Sequence, residues 1–566
     1  MSAKTATIIR SAVLFLILLF PNLYACCVAS DLSSAGKVVA YLLVVGIGLA
    51  IPMLFLRRRV YFIVIGILNL FCAPIEIASI YLNHNPATST FLGLFFSTNR
   101  QEVAGILSVV WPLLIALVLV WTAYFVLVYF QPNEWIIPRK IGLRIAAFGL
   151  PILFVGAIGF FSIYARTIYN IQNTKEMVLL AEDLTLMKFY KIFPYNIYLN
   201  SCHIAIERHA MKKAQAALGP FQFGLAAKQD SYPELYILVI GEAARSENMS
   251  LNGYERCTTP RLQKRTHLVS FPHFYAQAGT TEQAVPHMIS RIPVTRHGEV
   301  NNEKTLPEAF QEAGFRTAWL TNKSRADYLQ RVLESADIRF ETGKDMSVTN
   351  NYDEYLLQPL QDVLASGIEK LFIVMHTMGS HWRYDTRYPA PFEQFTPALG
   401  ESFNLSMINP SNKQKLVNAY DNTILYTDYF LDSLLSIVEA QDIPAVVIYM
   451  SDHGENLYDD ERNLVLHGNY SASRWLFHVP FLVWYSDEYA ALYPEKIQQL
   501  QTHADCRDNS SALFASMADA AGLRYINDTA SDAQMRTRSI FSPEYCAPDT
   551  LFVLTAEGEC VASDEF

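Results

Sequence analysis

Nearly all the long apolar runs of this 566-residue chain lie in its first 165 or so positions. A single water-soluble core would spread its apolar residues at helix or strand periods, whereas a continuous run of roughly 20 is long enough to cross a hydrocarbon layer. Five segments meet that length, at 8–28, 37–56, 60–82, 103–130 and 141–164. The whole chain is 51% hydrophobic yet 17% charged, a mixture that suits a membrane part joined to a water-soluble part. Lys4 and Arg10 ahead of the first run give it the look of a signal peptide. No small-x-small cleavage site follows and four more spans do, so the sequence predicts a retained anchor.

Basic residues set the expected orientation. Lys4 and Arg10 precede the first span, Arg57, Arg58 and Arg59 separate the second from the third, and Arg139, Lys140 and Arg144 separate the fourth from the fifth. All fall on one side if the spans alternate, which makes that side cytoplasmic and delivers everything beyond about residue 165 to the outer face. The spans carry few ionisable groups at mid-membrane, Glu76 being the main exception. The net charge of −10, with no cluster of Lys and Arg, argues against a nucleic-acid partner.

Three regions are therefore expected: a helical membrane domain at 1–165, an interfacial join at 166–230 and a soluble domain at 231–566. In the join, "MKFYKIFPYNIYLN" interleaves Lys with Phe and Tyr, which suits the headgroup level and equally suits amphipathic packing onto the soluble domain. From Leu235 onward, short β-rich runs ("LYILVIGE", "RTAWLTN", "KLFIVMHTMG", "AVVIYMSDHGE", "VPFLVWYSDE") alternate with helix-like stretches such as "LPEAFQEAG" and "NTILYTDYFLDSLLSIVEAQ". That alternation predicts an α/β domain with a mostly parallel sheet covered by helices on both faces, and a ligand site beyond the carboxyl ends of the strands.

The candidate site residues sit at those ends. Glu242 follows "LYILVIG", Asp452 and His453 follow "AVVIYMS", His376 and His381 lie in "MHTMGSHW", and His467 lies in "LHGN". Carboxylates and imidazoles are the ligands a catalytic zinc takes. Each has a plainer reading alone: a Glu after a strand is commonly a solvated turn residue, and a lone His a hydrogen-bonded structural group. The Asp-His pair leaving a wholly apolar strand is harder to dismiss, because an unpaired buried Asp is costly. Thr280 and Thr281, after a glycine and before a helix-like segment, offer a hydroxyl nucleophile or an ordinary N-cap.

These blocks resemble a known family. "VIGEAARSENMSLNGYERCTTPRL", "GTTEQAVPHMIS", "HTMGSHWRYDTRYP" and "SDHGE" with "HG" are similar, in order, to motifs of the membrane-bound phosphoethanolamine transferases of Gram-negative bacteria, in the alkaline phosphatase/sulfatase-like superfamily. The resemblance implies a bacterial inner-membrane, multi-pass protein with a periplasmic catalytic domain. It implies a tightly held Zn2+ on Glu242, Asp452, His453 and Thr281, with Thr281 as the nucleophile and Thr280 its fallback. His381 and His467 would bind a second zinc or the phosphoryl group, with His376 a further candidate, and Asn322 and Lys323 occupy the place of a phosphate-contacting residue. The implied reaction moves phosphoethanolamine from phosphatidylethanolamine, through a phosphoethanolamine-threonine, to lipopolysaccharide (lipid A or a core sugar) or another envelope glycan. A phosphoglycerol transferase or sulfatase-like hydrolase on the same scaffold, and a membrane sensor with a degenerate metal-binding domain, are the rival readings. "GTTEQ" lacks the C/S-x-P-x-R block that sulfatases modify.

One departure from the family concerns cysteine. The disulfide that often brackets the nucleophile segment would join positions occupied here by Gln277 and His287. Five cysteines remain in the soluble half, Cys202, Cys257, Cys506, Cys546 and Cys560, and some are expected to pair in an oxidising periplasm. Local spacing favours Cys546 with Cys560, and the odd count leaves at least one without a partner in the chain.

Overall fold

The computed structural model describes residues 2–28, 35–83, 86–87, 92, 100–152, 155, 192–218, 221–227, 232–323, 333–342, 352–400, 409–467, 473–555 and 558–563. Two compact units emerge, Met1–Arg208 and His209–Phe566.

In the first unit, helices α1 (Ala3–Val28), α2 (Ala35–Ala50), α3 (Arg58–Asn83) and α4 (Arg100–Tyr129) coincide with the first four apolar segments. Among the described residues, Lys4–Val28 and Arg58–Tyr81 are long and apolar enough to cross a membrane, and Tyr41–Leu54 and Ile115–Tyr129 form shorter apolar helices. Among the described residues these are the two full-length candidates, and the expected count of five is not confirmed by them. Much of the fifth segment, and residues 166–191 of the join, lie outside the described residues. Leu14, Tyr61, Phe62 and Tyr124 belong to the unit's apolar core. The Tyr124 hydroxyl donates to the Phe62 carbonyl at 2.8 Å, and the ring lies so close to α3 that a Cβ at Gly66 would sit 2.4 Å from it. Glu76 is fully buried, and its Oε2 accepts from Asn196 Nδ2 (2.7 Å), at the start of α5 (Tyr195–Ala217), and from Ala87 N (3.1 Å).

The second unit is built on seven strands: β1 (Glu234–Gly241), β2 (Leu268–Phe271), β3 (Arg316–Thr321), β4 (Ile338–Glu341), β5 (Lys370–His376), β6 (Ala445–Ser451) and β7 (Phe481–Tyr485). Their spatial order is β2-β7-β6-β1-β5-β3-β4. Every residue of β1 and β6 is buried, as a central strand with both faces covered requires. On one face Tyr236, Leu238 and Ile240 join Phe310 and Phe514, from helix α7 (Leu306–Glu312) and the helix Leu513–Ala520, in one apolar cluster. The alternate residues Leu235, Ile237 and Val239 are equally buried on the other face. The long helix α8 (Lys413–Glu439) lies against β6.

The five strands β4, β3, β5, β1 and β6 pair in parallel, while β7 runs antiparallel to both β6 and β2. The cause lies in residues 452–480. Asp452, His453 and His467 lie beyond the carboxyl edge of β6, and β7 starts at that same edge, Phe481 pairing with Met450. The eight cysteines are all free, Cys546 and Cys560 included, which corrects the expected pairing. Cys560 is held in a hairpin strand opposite Leu554, while the Cys546 amide is bonded to Thr537 O (2.9 Å) in a different segment.

Candidate active site and metal centre

Register brings the site together. Ile240 of β1 pairs with both His376 of β5 and Met450 of β6, and Gly241 pairs with Ser451, so the residues that follow these strands leave at one edge. Glu242 is fully buried there and is no solvated turn residue. The loop after β5 closes on its backbone: Ser380 N donates to Glu242 O (2.9 Å), and Gly379 has φ +43° with room for no Cβ, which would lie 2.7 Å from that same oxygen.

Thr281 is the first residue of helix α6 (Thr281–Met288), and Thr280 is its extended N-cap residue. Thr281 Oγ1 donates to Glu242 Oε2 at 2.9 Å and lies 3.3 Å from His453 Nε2. Thr280 Oγ1 instead reaches Gln283 at 3.3 Å, which separates the two threonines by role. His453 Nδ1 donates to the Gly454 carbonyl (2.7 Å), which turns Nε2 toward the two carboxylates, 3.5 Å from Glu242 Oε1 and 3.8 Å from Asp452 Oδ2. Asp452 Oδ1 accepts from Ala243 N and His453 N at 3.2 and 2.7 Å.

Two oxygens in this cluster, Glu242 Oε1 and Asp452 Oδ2, are buried without a hydrogen-bond donor, an arrangement that costs free energy unless a cation meets them. The electrostatics agree. Burial raises the Asp452 carboxyl to about 6, helped by the neighbouring Glu242 charge. Burial would lower His453, but Asp452 and Glu242 outweigh it and lift the imidazole to about 9. Burial also opposes Glu242 ionisation, yet Lys323 and His453 hold that carboxyl well below its usual value. A pocket with two carboxylates, an imidazole Nε2 and a hydroxyl therefore calls for positive charge, and its donor types are those a zinc ion takes.

The remaining candidates divide. Lys323 Nζ forms a buried ion pair with Glu242 Oε2. His467 lies beside His453, with ring centroids 4.4 Å apart and the rings tilted by 49°, and one ligand atom from each of Glu242, His453 and His467 lies within 4.8 Å of the others. His381 is 6.2 Å from His467 between ring centroids, and its Nδ1 donates to Trp382 O (2.6 Å). Asn322 does not join them, because its amide is held by Asp353 (2.9 Å) and Thr342 (2.5 Å). His376 makes no hydrogen bond to this group through its ring nitrogens. It ends β5 edge-on to Trp319, ring centroids 6.2 Å apart, and burial pushes its imidazole down to about 3. Glu455, which our sequence reading did not nominate, accepts from His467 Nδ1 at 3.2 Å. Its place in "SDHGE", three residues after Asp452, was the available signal.

The positions of the missing staple carry hydrogen bonds instead. Gln277 Oε1 accepts from Val294 N (3.1 Å). His287 Nδ1 donates to Ile292 O (2.8 Å), and its Nε2 accepts from His297 Nδ1 (2.9 Å). Burial depresses the His287 pKa to about 4. A depressed folded pKa means that this group's contribution is full above about 6.5 and is lost as pH falls through 4, a change of up to about 3 kcal/mol. Urea unfolding of the full chain between pH 7 and 4 is expected to show that loss, and His287→Gln to flatten it. An unchanged acid limb in the variant would refute the assignment.

A family model described as Sulfatase matches residues 234–523, which spans β1 through the helix Leu513–Ala520 and all the residues above. The chain belongs to the sulfatase family. A phosphoethanolamine transferase EptA from Salmonella typhimurium is 34% identical over 310 residues, 53% of this chain and 55% of that protein. The chain thus spans little more than half the length of that relative. The zinc complex of the C-terminal periplasmic domain of Escherichia coli EptC shares 25% identity, with a TM-score of 0.54 over 62% of this chain and 97% of that one. The integral membrane lipooligosaccharide phosphoethanolamine transferase A from Neisseria meningitidis shares the fold over 86% of this chain and 87% of its own, with 23% identity and a TM-score of 0.66. For this sulfatase-family domain the fold is accordingly of the alkaline phosphatase/sulfatase type.

Proposed function

We propose that the chain is a membrane-anchored, zinc-dependent transferase that moves phosphoethanolamine from phosphatidylethanolamine, by way of Thr281, to lipid A, a core sugar of lipopolysaccharide or another envelope glycan. The observation that carries the reading is a hydroxyl at a helix start, donating to a buried carboxylate, beside two carboxylate oxygens that lack a donor. The names of the relatives supply the transferred group and the class of acceptor. In this reading residues 1–165 form five spans in the bacterial inner membrane, 166–230 lie at the interface, and 231–566 work in the periplasm.

Glu242, Asp452, His453 and Thr281 would hold the zinc, which when bound lowers the pKa of the hydroxyl and offsets negative charge. Glu242 Oε2 receives the Thr281 hydrogen bond and orients its lone pairs for attack on phosphorus. The new bond joins Thr281 Oγ1 to phosphorus. The bond from phosphorus to the glycerol oxygen breaks, and diacylglycerol leaves with a proton. An acceptor hydroxyl or phosphate then reverses the sequence and frees Thr281. Lys323, His381 and His467, which lie near Glu242 and His453, would offset the charge that gathers on the phosphoryl oxygens.

Intact mass and peptide mapping of the full chain, after incubation with phosphatidylethanolamine vesicles, tests this. One phosphoethanolamine unit on the peptide holding Thr281 is expected. A phosphoglycerol adduct formed only from phosphatidylglycerol would change the donor, and no adduct from either lipid in zinc-loaded protein would refute the transfer.

A further inference from the structure

Asp353 opens the short helical turn Asp353–Leu356, lies in none of the sequence motifs and is only 5% exposed. Its carboxylate collects three donors from two separate strand ends. Oδ1 accepts from Asn322 Nδ2 (2.9 Å) and Met378 N (2.7 Å), and Oδ2 accepts from Gly379 N (2.8 Å). Asn322 immediately precedes Lys323, whose Nζ meets Glu242, while Met378 and Gly379 lead to Ser380 and His381. The same carboxylate thus holds the loop after β3 and the loop after β5. The grip is tight: Gly379 is drawn into a left-handed turn against the Glu242 backbone. Beyond it, Arg387 fastens the other end of the loop through His381 O (3.0 Å) and Trp382 O (3.2 Å).

We infer that Asp353 is a positioning residue that sets the spacing between Lys323 and His381, the two arms that meet the transferred phosphoryl group. The inference rests on the transfer proposed above. A carboxylate suits the task because it presents acceptor lone pairs in several directions and no donor, so it can collect three N–H groups at once. An amide at this position opposes one N–H with another. None of its bonds goes to the side chains of Glu242, Thr281, Asp452 or His453, so any effect on zinc capture passes through Lys323 and the Gly379 loop, and the rate is read per zinc-bearing molecule.

The test compares Asp353→Asn and Asp353→Ala with wild type in the full chain, in lipid nanodiscs containing phosphatidylethanolamine. Zinc content is expected to stay at the wild-type level. The rate constant for adduct formation per zinc-bearing molecule is expected to fall roughly 10–100-fold for alanine, and less for asparagine. A purely structural role would reduce the amount of folded, zinc-bearing protein and leave that rate constant alone. In a double-mutant cycle, Lys323→Ala is expected to add little to Asp353→Ala, since both disable one arm. Amide exchange supplies a readout that needs no turnover: protection at Met378 and Gly379 is expected to drop in both variants. A rate constant within twofold of wild type, or unchanged protection at these amides, overturns the inference. If wild type forms no adduct, the transfer reading fails and the exchange result alone decides whether Asp353 holds the two loops.

Discussion

Thr281→Ala is expected to lower the proposed phosphoethanolamine transfer by roughly 10³-fold or more and to leave no adduct on its peptide, because the substitution removes the oxygen assigned to the attack. Thr281→Ser keeps that oxygen but loses the branched methyl that restricts its rotamers, so partial activity within about tenfold of wild type is expected. Thr280→Ala is the control. That side chain faces Gln283, and the helix-closing bond it supports runs from Ala284 N to the Thr280 carbonyl, which alanine retains. Mass-resolved transfer from a labelled donor lipid separates the three. Transfer by Thr281→Ala at more than a tenth of the wild-type rate would remove Thr281 as nucleophile.

The second large effect concerns Glu242. This carboxylate faces Lys323, His453 and Thr281 with no solvent contact. Glu242→Ala leaves the Lys323 ammonium buried beside an imidazole, and breaking a buried pair in this way costs about 3–5 kcal/mol. On the proposed reading it also removes a zinc ligand, so both the metal content and the thermal midpoint of purified protein are expected to fall together. Lys323→Met removes the opposing charge and is expected to recover part of the stability without recovering transfer. Wild-type zinc stoichiometry in Glu242→Ala would show that the metal, if held, sits elsewhere.

Chelation gives the same centre an independent reading. Stripping zinc is expected to lower the unfolding midpoint of wild type, since a ligand bound only by the native state stabilises it by mass action. The Glu242→Ala midpoint is expected not to respond.

Much of the sulfatase-family domain was legible in the chain itself. Four of the five quoted β-rich runs, each ending in a polar residue, mark parallel strands whose ends share an edge, so Glu242, Asp452 and His453 could be nominated from strand boundaries alone. Thr281 was separable from Thr280 only through resemblance, because both satisfy the local pattern of a helix start. The segregated apolar runs likewise located helices α1 to α4 of the first unit, since a run of that length has few other uses.

What the sequence by itself determined was therefore the part governed by local chemistry: membrane-length segments, strand ends, and the residue types a metal and a nucleophile need. The tertiary structure decided everything that depends on which loops meet. It turned β7 antiparallel, because the loop bearing His467 stays at one edge. It withdrew Asn322 to Asp353 and His376 to Trp319, while bringing Glu455 to His467 and Lys323 to Glu242. It kept Cys546 and Cys560 on separate segments. Residue type and spacing specify what a side chain is able to bind, but its partner is set by the packing of elements far apart in the chain, and that packing is a property of the whole core.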